Sequence, residues 1–130
     1  MNARLKLRLR LFLCTMVMLG LSGCAMLGMS AEPARVADGV LVDAKGMTLY
    51  TFDKDPMGKS VCNGGCAKNW PPLMATASDK SSGDYSVVTR EDGSLQWAMR
   101  GKPLYTWIKD TKPGDRTGDR VGNTWSIARP

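Results

Sequence analysis

The sequence predicts an all-β fold, a small antiparallel domain built from two related hairpin units that recur with a period of about 55 residues. Three observations predict it. The first is an internal repeat in one register, and the second is the pairing of β-rich runs with short glycine-containing turns. The third is that no segment after residue 24 has the apolar period of a long amphipathic helix. The length of 130 residues suits one domain.

The repeat becomes visible when the sequence is shifted by 55 residues, because seven residues of the first unit then coincide with identical residues of the second. The seven are Gly46, Leu49, Tyr50, Thr51, Lys54, Asp55 and Trp70, and their partners are Gly101, Leu104, Tyr105, Thr106, Lys109, Asp110 and Trp125. So many identities in one register indicate two copies of one supersecondary unit.

Within each unit a turn containing glycine joins two runs with strand composition. The predicted strands are 39–43 and 47–52 around the turn 44–46, 94–99 and 103–108 around the turn 100–102, and two further strands at 85–90 and 124–127. A single helical turn is predicted at 66–70, where Pro71 and Pro72 end it.

The N-terminus predicts export. Residues 1–23 combine a basic start, an apolar run at 11–21 and small residues, which is the pattern of a secretion signal. The apolar run is shorter than the roughly 20 residues that a membrane-spanning helix needs. The run ends in Leu21, Ser22, Gly23 and Cys24, which resemble the lipobox of bacterial lipoproteins. This resemblance implies acylation of Cys24 and attachment to a lipid bilayer. Ala25 then implies an outer-membrane location facing the periplasm; the alternative is an ordinary signal that leaves Cys24 a free thiol.

The mature chain divides into a tether and a domain. Residues 24–37 are rich in small residues and have no regular apolar period, which predicts a lipidated tether. Residues 38–130 form the predicted domain, with units at about 38–92 and 93–130.

Charge and composition exclude several function classes. Four of the 18 basic residues lie in the signal, so the mature chain has 14 basic and 12 acidic residues and a net charge of +2. Basic and acidic residues are interleaved, which argues against nucleic acid as a partner. The chain has no histidine, which excludes Ser-His-Asp catalysis and histidine-ligated metals.

The domain retains two cysteines, Cys62 and Cys66, with two glycines between them. An oxidising compartment favours a structural disulfide. Two alternatives stay open: a redox-active pair, and a copper(I) site of both cysteines with Met57 or Met74, because soft sulfur ligands select copper(I). We expect no cofactor, with copper as the alternative.

Each unit carries a tyrosine, an aromatic residue two positions later and an aspartate five positions after the tyrosine. These are Tyr50, Phe52 and Asp55 in the first unit, and Tyr105, Trp107 and Asp110 in the second. Residues two apart in a strand share a face, so the aromatic residues form ridges, and each aspartate falls where a turn offers backbone amides. Trp70 and Trp125 are candidate ligand-facing aromatics. A glycosidase pair of Asp55 and Asp110 is a further alternative, but their repeated placement favours one structural role twice.

This motif, the two cysteines and the segment 70–73 resemble the bacterial family of predicted lipoproteins with a Yx(F/W/Y)xxD motif, also called secreted repeats of unknown function. The resemblance covers about 38–130 and implies an exported, often lipid-anchored protein. We therefore expect a non-enzymatic binding or scaffold module of the cell envelope, whose partner is an unknown envelope protein or small ligand. The alternative is a periplasmic redox or copper-handling protein that acts through Cys62 and Cys66.

Overall fold

The structure is a computed structural model that describes residues 31–130. The predicted signal at 1–23, Cys24 and most of the predicted tether lie outside the described residues. Residues 31–130 form a nearly all-β domain. No helix within this range has the length and apolar character needed to cross a lipid bilayer.

The described chain consists of short strands, one short helix and one 3-10 turn. The strands are β1 (Arg35–Ala37), β2 (Val40–Val42), β3 (Tyr50–Phe52), β4 (Met74–Ala75), β5 (Tyr85–Thr89), β6 (Leu95–Met99), β7 (Lys102–Pro103) and β8 (Trp125–Ile127). The helix α1 (Gly65–Asn69) follows β3, and the 3-10 turn (Val121–Asn123) precedes β8.

All strand pairs are antiparallel. β1 pairs with β2 and β3 pairs with β8, each as a two-stranded sheet, while a third sheet has the order β4-β6-β5 with β7 also on β6. The predicted fold class is therefore confirmed, and α1 lies at the predicted helical turn.

The turn of each hairpin depends on its repeated glycine. Gly46 and Gly101 have φ angles of +84° and +81°, a left-handed conformation that costs glycine little. In the first unit the Asp43 carboxylate accepts hydrogen bonds from the backbone amides of Lys45 and Met47, both at 2.9 Å. Asp43 thereby closes the turn between β2 and the chain that leads into β3.

The two units exchange their last strands. β8 of the second unit pairs with β3 of the first, and the equivalent segment of the first unit, residues 70–75, lies against Tyr105 and β6 of the second. The exchange is reciprocal. Ala128 N–H donates to the Leu49 carbonyl at 2.8 Å, and the equivalent Leu73 N–H donates to the Leu104 carbonyl at 2.9 Å.

Two differences from the predicted elements have physical causes. Residues 35–37, predicted as tether, form β1 on β2, and Ala34 is buried, so the folded domain begins before residue 38. The predicted strand 103–108 is reduced to β7 and bridges at Tyr105. Its partner segment contains Pro71 and Pro72, which have no N–H to donate to a ladder.

The core consists of two clusters of buried side chains. One packs Leu41, Leu49, Tyr85, Trp97, Met99 and Leu104 with three small alanines, and the other packs Val40, Val42, Tyr50, Cys62, Trp70, Tyr105, Trp125 and Ile127. Both clusters draw residues from both units, so neither unit has a core of its own.

The strand exchange predicts that neither unit folds alone. We expect chains 31–80 and 81–130, divided in the exposed loop between β4 and β5, to show no cooperative thermal transition separately, because each exposes the surface that the other covers. An equimolar mixture should regain the circular dichroism spectrum of the undivided domain, which is the control. A cooperative transition in one half that does not depend on concentration would contradict the exchange.

Candidate functional site

The repeated tyrosines and aspartates meet at the contact between the units. Backbone hydrogen bonds join the tyrosines in both directions, Tyr50 N–H to the Tyr105 carbonyl at 2.8 Å and Tyr105 N–H to the Tyr50 carbonyl at 3.0 Å. Each phenol then donates to the aspartate of the other unit. Tyr50 Oη lies 2.6 Å from Asp110 Oδ2, and Tyr105 Oη lies 2.6 Å from Asp55 Oδ2.

The second oxygen of each aspartate holds a turn. Asp55 Oδ1 accepts the Val61 amide at 2.8 Å, and Asp110 Oδ1 accepts both the amide and the hydroxyl of Thr117, at 2.9 and 2.6 Å. The aspartates therefore act as predicted for turn residues, and they also connect the turn of one unit to the strand of the other.

Burial controls the protonation of these groups. It raises the pKa of Tyr50 and of Tyr105 well above the ordinary value of a phenol, and the hydrogen bonds to Asp110 and Asp55 act in the same direction. Both phenols therefore stay protonated and act as donors. Burial also raises the pKa of Asp55, against the hydrogen bonds from Tyr105 and the Val61 amide and the charge of Arg90, which lower it.

Four aromatic rings stack on one another in the core cluster that contains Tyr50 and Tyr105. Their order is Phe52, Trp125, Trp70 and Trp107, with successive ring centroids 4.4, 3.7 and 4.0 Å apart. Trp70 and Trp125 are parallel to within 5° and are 4% and 5% exposed. The prediction that these two face a ligand is wrong, because they fill the interior of the stack. Phe52 and Trp107 are the partly exposed rings.

Gly118 permits the close approach of this stack to the Tyr50 ring. A Cβ atom at Gly118 would lie 2.9 Å from both Trp70 and Tyr50, which leaves no room for any other residue. Its amide also donates to Tyr50 Oη at 3.2 Å. The sequence offered only one signal for this position, a glycine in the second unit that the first unit does not share.

A buried arginine, which the sequence analysis did not single out, organises the region beside Tyr105. The Arg90 guanidinium donates to Gln96 Oε1 at 2.7 Å, to the Cys62 carbonyl at 2.7 Å and to Ser60 Oγ at 3.0 Å. Ser60 in turn lies 2.7 Å from Tyr105 Oη. Since the Tyr105 proton points to Asp55, Ser60 is the donor in this contact. A buried cation needs such partners, because desolvation without them costs several kcal/mol.

Cys62 and Cys66 form a disulfide. In the chain-entropy account, closing so short a loop contributes about 2 kcal/mol. The disulfide fixes residues 62–66, the loop whose Cys62 carbonyl receives Arg90. A copper(I) site would require both sulfurs reduced. Met57 lies against Gly101, whereas Met74 lies in β4 opposite Gln96, so the two thioethers have different surroundings. The copper alternative stays a prediction.

A groove of about 650 Å³ opens beside the arginine network. Its walls are residues 58–61, Asn63 and residues 89–91. Lys59 and Glu91 give its rim one positive and one negative charge, and Val61 is an exposed apolar side chain in its wall. Asn63 donates to Glu91 at 2.9 Å, and a cavity of about 290 Å³ beyond that bond shares Asn63, Arg90 and Glu91.

The protein is a two-unit β repeat protein. Its units exchange strands, carry the same motif, and are joined by the hydrogen bonds from each tyrosine to the aspartate of the other unit. The chain belongs to the family described as a secreted repeat of unknown function, whose sequence model matches residues 34–74 and again residues 86–129. The protein is therefore an exported one. No curated protein and no solved structure matches the chain. The second match begins within β5, earlier than the predicted boundary at 93.

The raised pKa of Asp55 predicts a pH-dependent contribution to stability. A carboxyl group whose pKa is higher in the folded than in the unfolded state stabilises the fold fully below its unfolded pKa of about 4, and the contribution is lost as pH rises through its folded pKa. We expect the free energy of unfolding of the native protein to fall relative to Asp55→Asn as the pH rises above about 4, as measured by urea unfolding.

The matched control is Asp38→Asn, which changes an exposed carboxylate in the β1–β2 turn. Its stability should run parallel to that of the native protein across the same range. If the Asp55→Asn curve also ran parallel, or diverged in the opposite sense, burial would not dominate the ionisation of Asp55.

Proposed function

We propose that the protein is a lipoprotein of the bacterial envelope, anchored through acylated Cys24, and that its domain is a non-enzymatic binding module. The description of the family as secreted supports a role outside the cytoplasm. The lipobox-like residues ending in Cys24 support the anchor. The ten residue steps from Cys24 to the buried Ala34 span at most about 36 Å, so the domain works close to the membrane surface.

The use of the motif carboxylates supports a non-enzymatic role. Asp55 and Asp110 each use one oxygen for a tyrosine and the other for a turn amide. A glycosidase needs one carboxyl group as an acid and another facing the substrate or a water molecule, in unequal environments. Both aspartates instead have the same architectural partners, and they hold the two units together.

The observation that carries the binding proposal is the groove beside Arg90. Its volume of about 650 Å³ lies within the range of about 300–1,000 Å³ typical of small-molecule sites. The Arg90 guanidinium fixes two of its walls, because besides its other bonds it donates to Ser60 Oγ at 3.0 Å and to Asn63 Oδ1 at 3.2 Å, and Asn63 also lies inside the disulfide loop. Groups that are already held in place need little ordering on binding. The ligand that suits it is small and polar and carries both charges, because Lys59 and Glu91 stand at the rim.

Acylation is tested by the mass of the protein isolated from its native envelope. We expect a diacyl or triacyl mass increment on a chain that begins at Cys24, and a two-hydrogen deficit from the Cys62–Cys66 disulfide. Cys24→Ser should abolish incorporation of labelled fatty acid, whereas Cys66→Ser should retain it. An unmodified mass for the native protein, or acylation that survives Cys24→Ser, would contradict the anchor.

Binding is tested with a peptidoglycan fragment, a disaccharide whose short peptide carries free ammonium and carboxylate groups. We expect amide chemical shifts to change at residues 58–63 and 89–91. Lys59→Glu should weaken binding about tenfold, since about 1.4 kcal/mol corresponds to one lost charged contact. The control is Lys102→Glu, on a separate cavity beside Arg129. Unchanged shifts in the groove, or equal weakening by both variants, would contradict the proposal.

A further inference from the structure

The aromatic stack reaches from the interior of the domain to its surface. Trp70 and Trp125 are buried, while Trp107 at one end is partly exposed and lies under the ammonium group of Lys109, 5.9 Å from its ring centroid. The three centroid separations of 4.4, 3.7 and 4.0 Å are shorter than the roughly 4.5–7 Å of ordinary aromatic pairs. Three tryptophan rings are thus stacked in succession, with interplanar angles of 5° between Trp125 and Trp70 and 30° between Trp70 and Trp107.

Each buried tryptophan of the stack also contacts a tyrosine that has a proton acceptor. Tyr50 meets Trp70 edge to face at 5.4 Å, and Tyr105 meets Trp125 in the same way at 5.1 Å. Loss of one electron makes a phenol strongly acidic, so a buried tyrosine is oxidised readily only where a base already accepts its hydrogen bond. Asp110 and Asp55 fill this role, each 2.6 Å from the phenol oxygen.

We propose that this stack is a relay for one-electron oxidation, which carries an oxidising equivalent from the surface at Trp107 to the buried pair Tyr50 and Tyr105. The co-reactant is a one-electron oxidant, a radical or an oxidised metal complex, that meets Trp107. This oxidant takes one electron from Trp107, and its own oxidation state falls by one. Trp70 and then Trp125 replace that electron.

The last step transfers an electron and a proton together, to different acceptors. Tyr105 gives one electron to Trp125 and its phenolic proton to Asp55, which leaves a neutral tyrosyl radical and a protonated carboxyl group. Tyr50 can do the same with Trp70 and Asp110. Because burial raises the pKa of Asp55, this carboxyl group holds a proton more readily than an exposed one would. A one-electron reductant that meets Trp107, a thiolate or a reduced metal complex, sends one electron back through the stack and is itself oxidised by one electron. The Tyr105 radical takes up that electron, Asp55 returns the proton to the phenol oxygen, and the domain acts as a reversible sink for oxidants.

The chain contains its own controls. Trp97 and Tyr85 belong to the other core cluster and are buried to a similar degree. Neither takes part in the aromatic contacts of the described residues 31–130. Tyr85 also has no carboxylate hydrogen bond among the side-chain bonds of this range. A relay requires the stacked tryptophans with Tyr50 and Tyr105 but not Trp97 or Tyr85, whereas nonspecific oxidation would affect both groups of residues alike.

The test is flash oxidation of the whole mature protein by a photoexcited ruthenium polypyridyl complex with persulfate as the electron acceptor. Transient absorption and electron paramagnetic resonance distinguish tryptophanyl from tyrosyl radicals. We expect a tryptophanyl signal that converts to a tyrosyl signal, with the conversion slower in deuterated water. Trp107→Phe should slow radical formation about tenfold, a rise in barrier of about 1.4 kcal/mol, while Trp97→Phe should not.

The double variant Tyr50→Phe, Tyr105→Phe should lose the tyrosyl signal, and Tyr85→Phe should keep it. The deuterium effect on the unsubstituted protein and the partly exposed Trp107 provide tests that stand even if the double variant does not fold. A radical that stays on tryptophan in the unsubstituted protein, a tyrosyl signal that depends on Tyr85, or equal slowing by Trp97→Phe would overturn the relay. None of these outcomes bears on the acylation of Cys24 or on the groove.

Discussion

The structure depends on one reciprocal contact, in which the tyrosine of each unit donates a hydrogen bond to the aspartate of the other. These bonds are buried, and burial keeps the phenols protonated, so the donors cannot be lost at ordinary pH. The same aspartates hold their own turns. A turn, a strand and the partner unit are thus fixed together at each aspartate. The strand exchange, the tryptophan stack and the position of the groove all follow from that connection.

The aromatic contacts also explain why each unit carries a tryptophan 20 residues after its tyrosine. Each unit must extend from its tyrosine through a turn to its tryptophan, because Trp70 packs edge-on to Tyr50 and Trp125 packs edge-on to Tyr105. The two tryptophans then stack on each other at 3.7 Å. Tyrosine, aspartate and tryptophan are therefore among the seven identities, since a change in one unit would leave its partner group in the other unit unpaired.

Much of the fold could be predicted from the sequence, but the pairing of the units could not. A repeat shows which residues are equivalent, and alternation shows which share a face, so the hairpins and the all-β class were predicted correctly. Neither signal says whether Tyr50 bonds to Asp55 or to Asp110. Trp70 and Trp125 were placed at a ligand for the same reason, because only the exchange reveals that they cover each other. Arg90 gave no signal, since one arginine in a chain looks like a solvated charge until its acceptors are assembled around it.

The positions where the two units differ carry the features available for function. Phe52 corresponds to Trp107, so only the second unit places a tryptophan at an end of the stack. Cys62 corresponds to Thr117, so only the first unit has the disulfide loop that shapes the groove with Arg90. The identities are accounted for by the mutual support of two copies, which any member with this architecture needs. The differences are not required by that architecture, and they give an otherwise reciprocal domain one groove and one tryptophan at its surface.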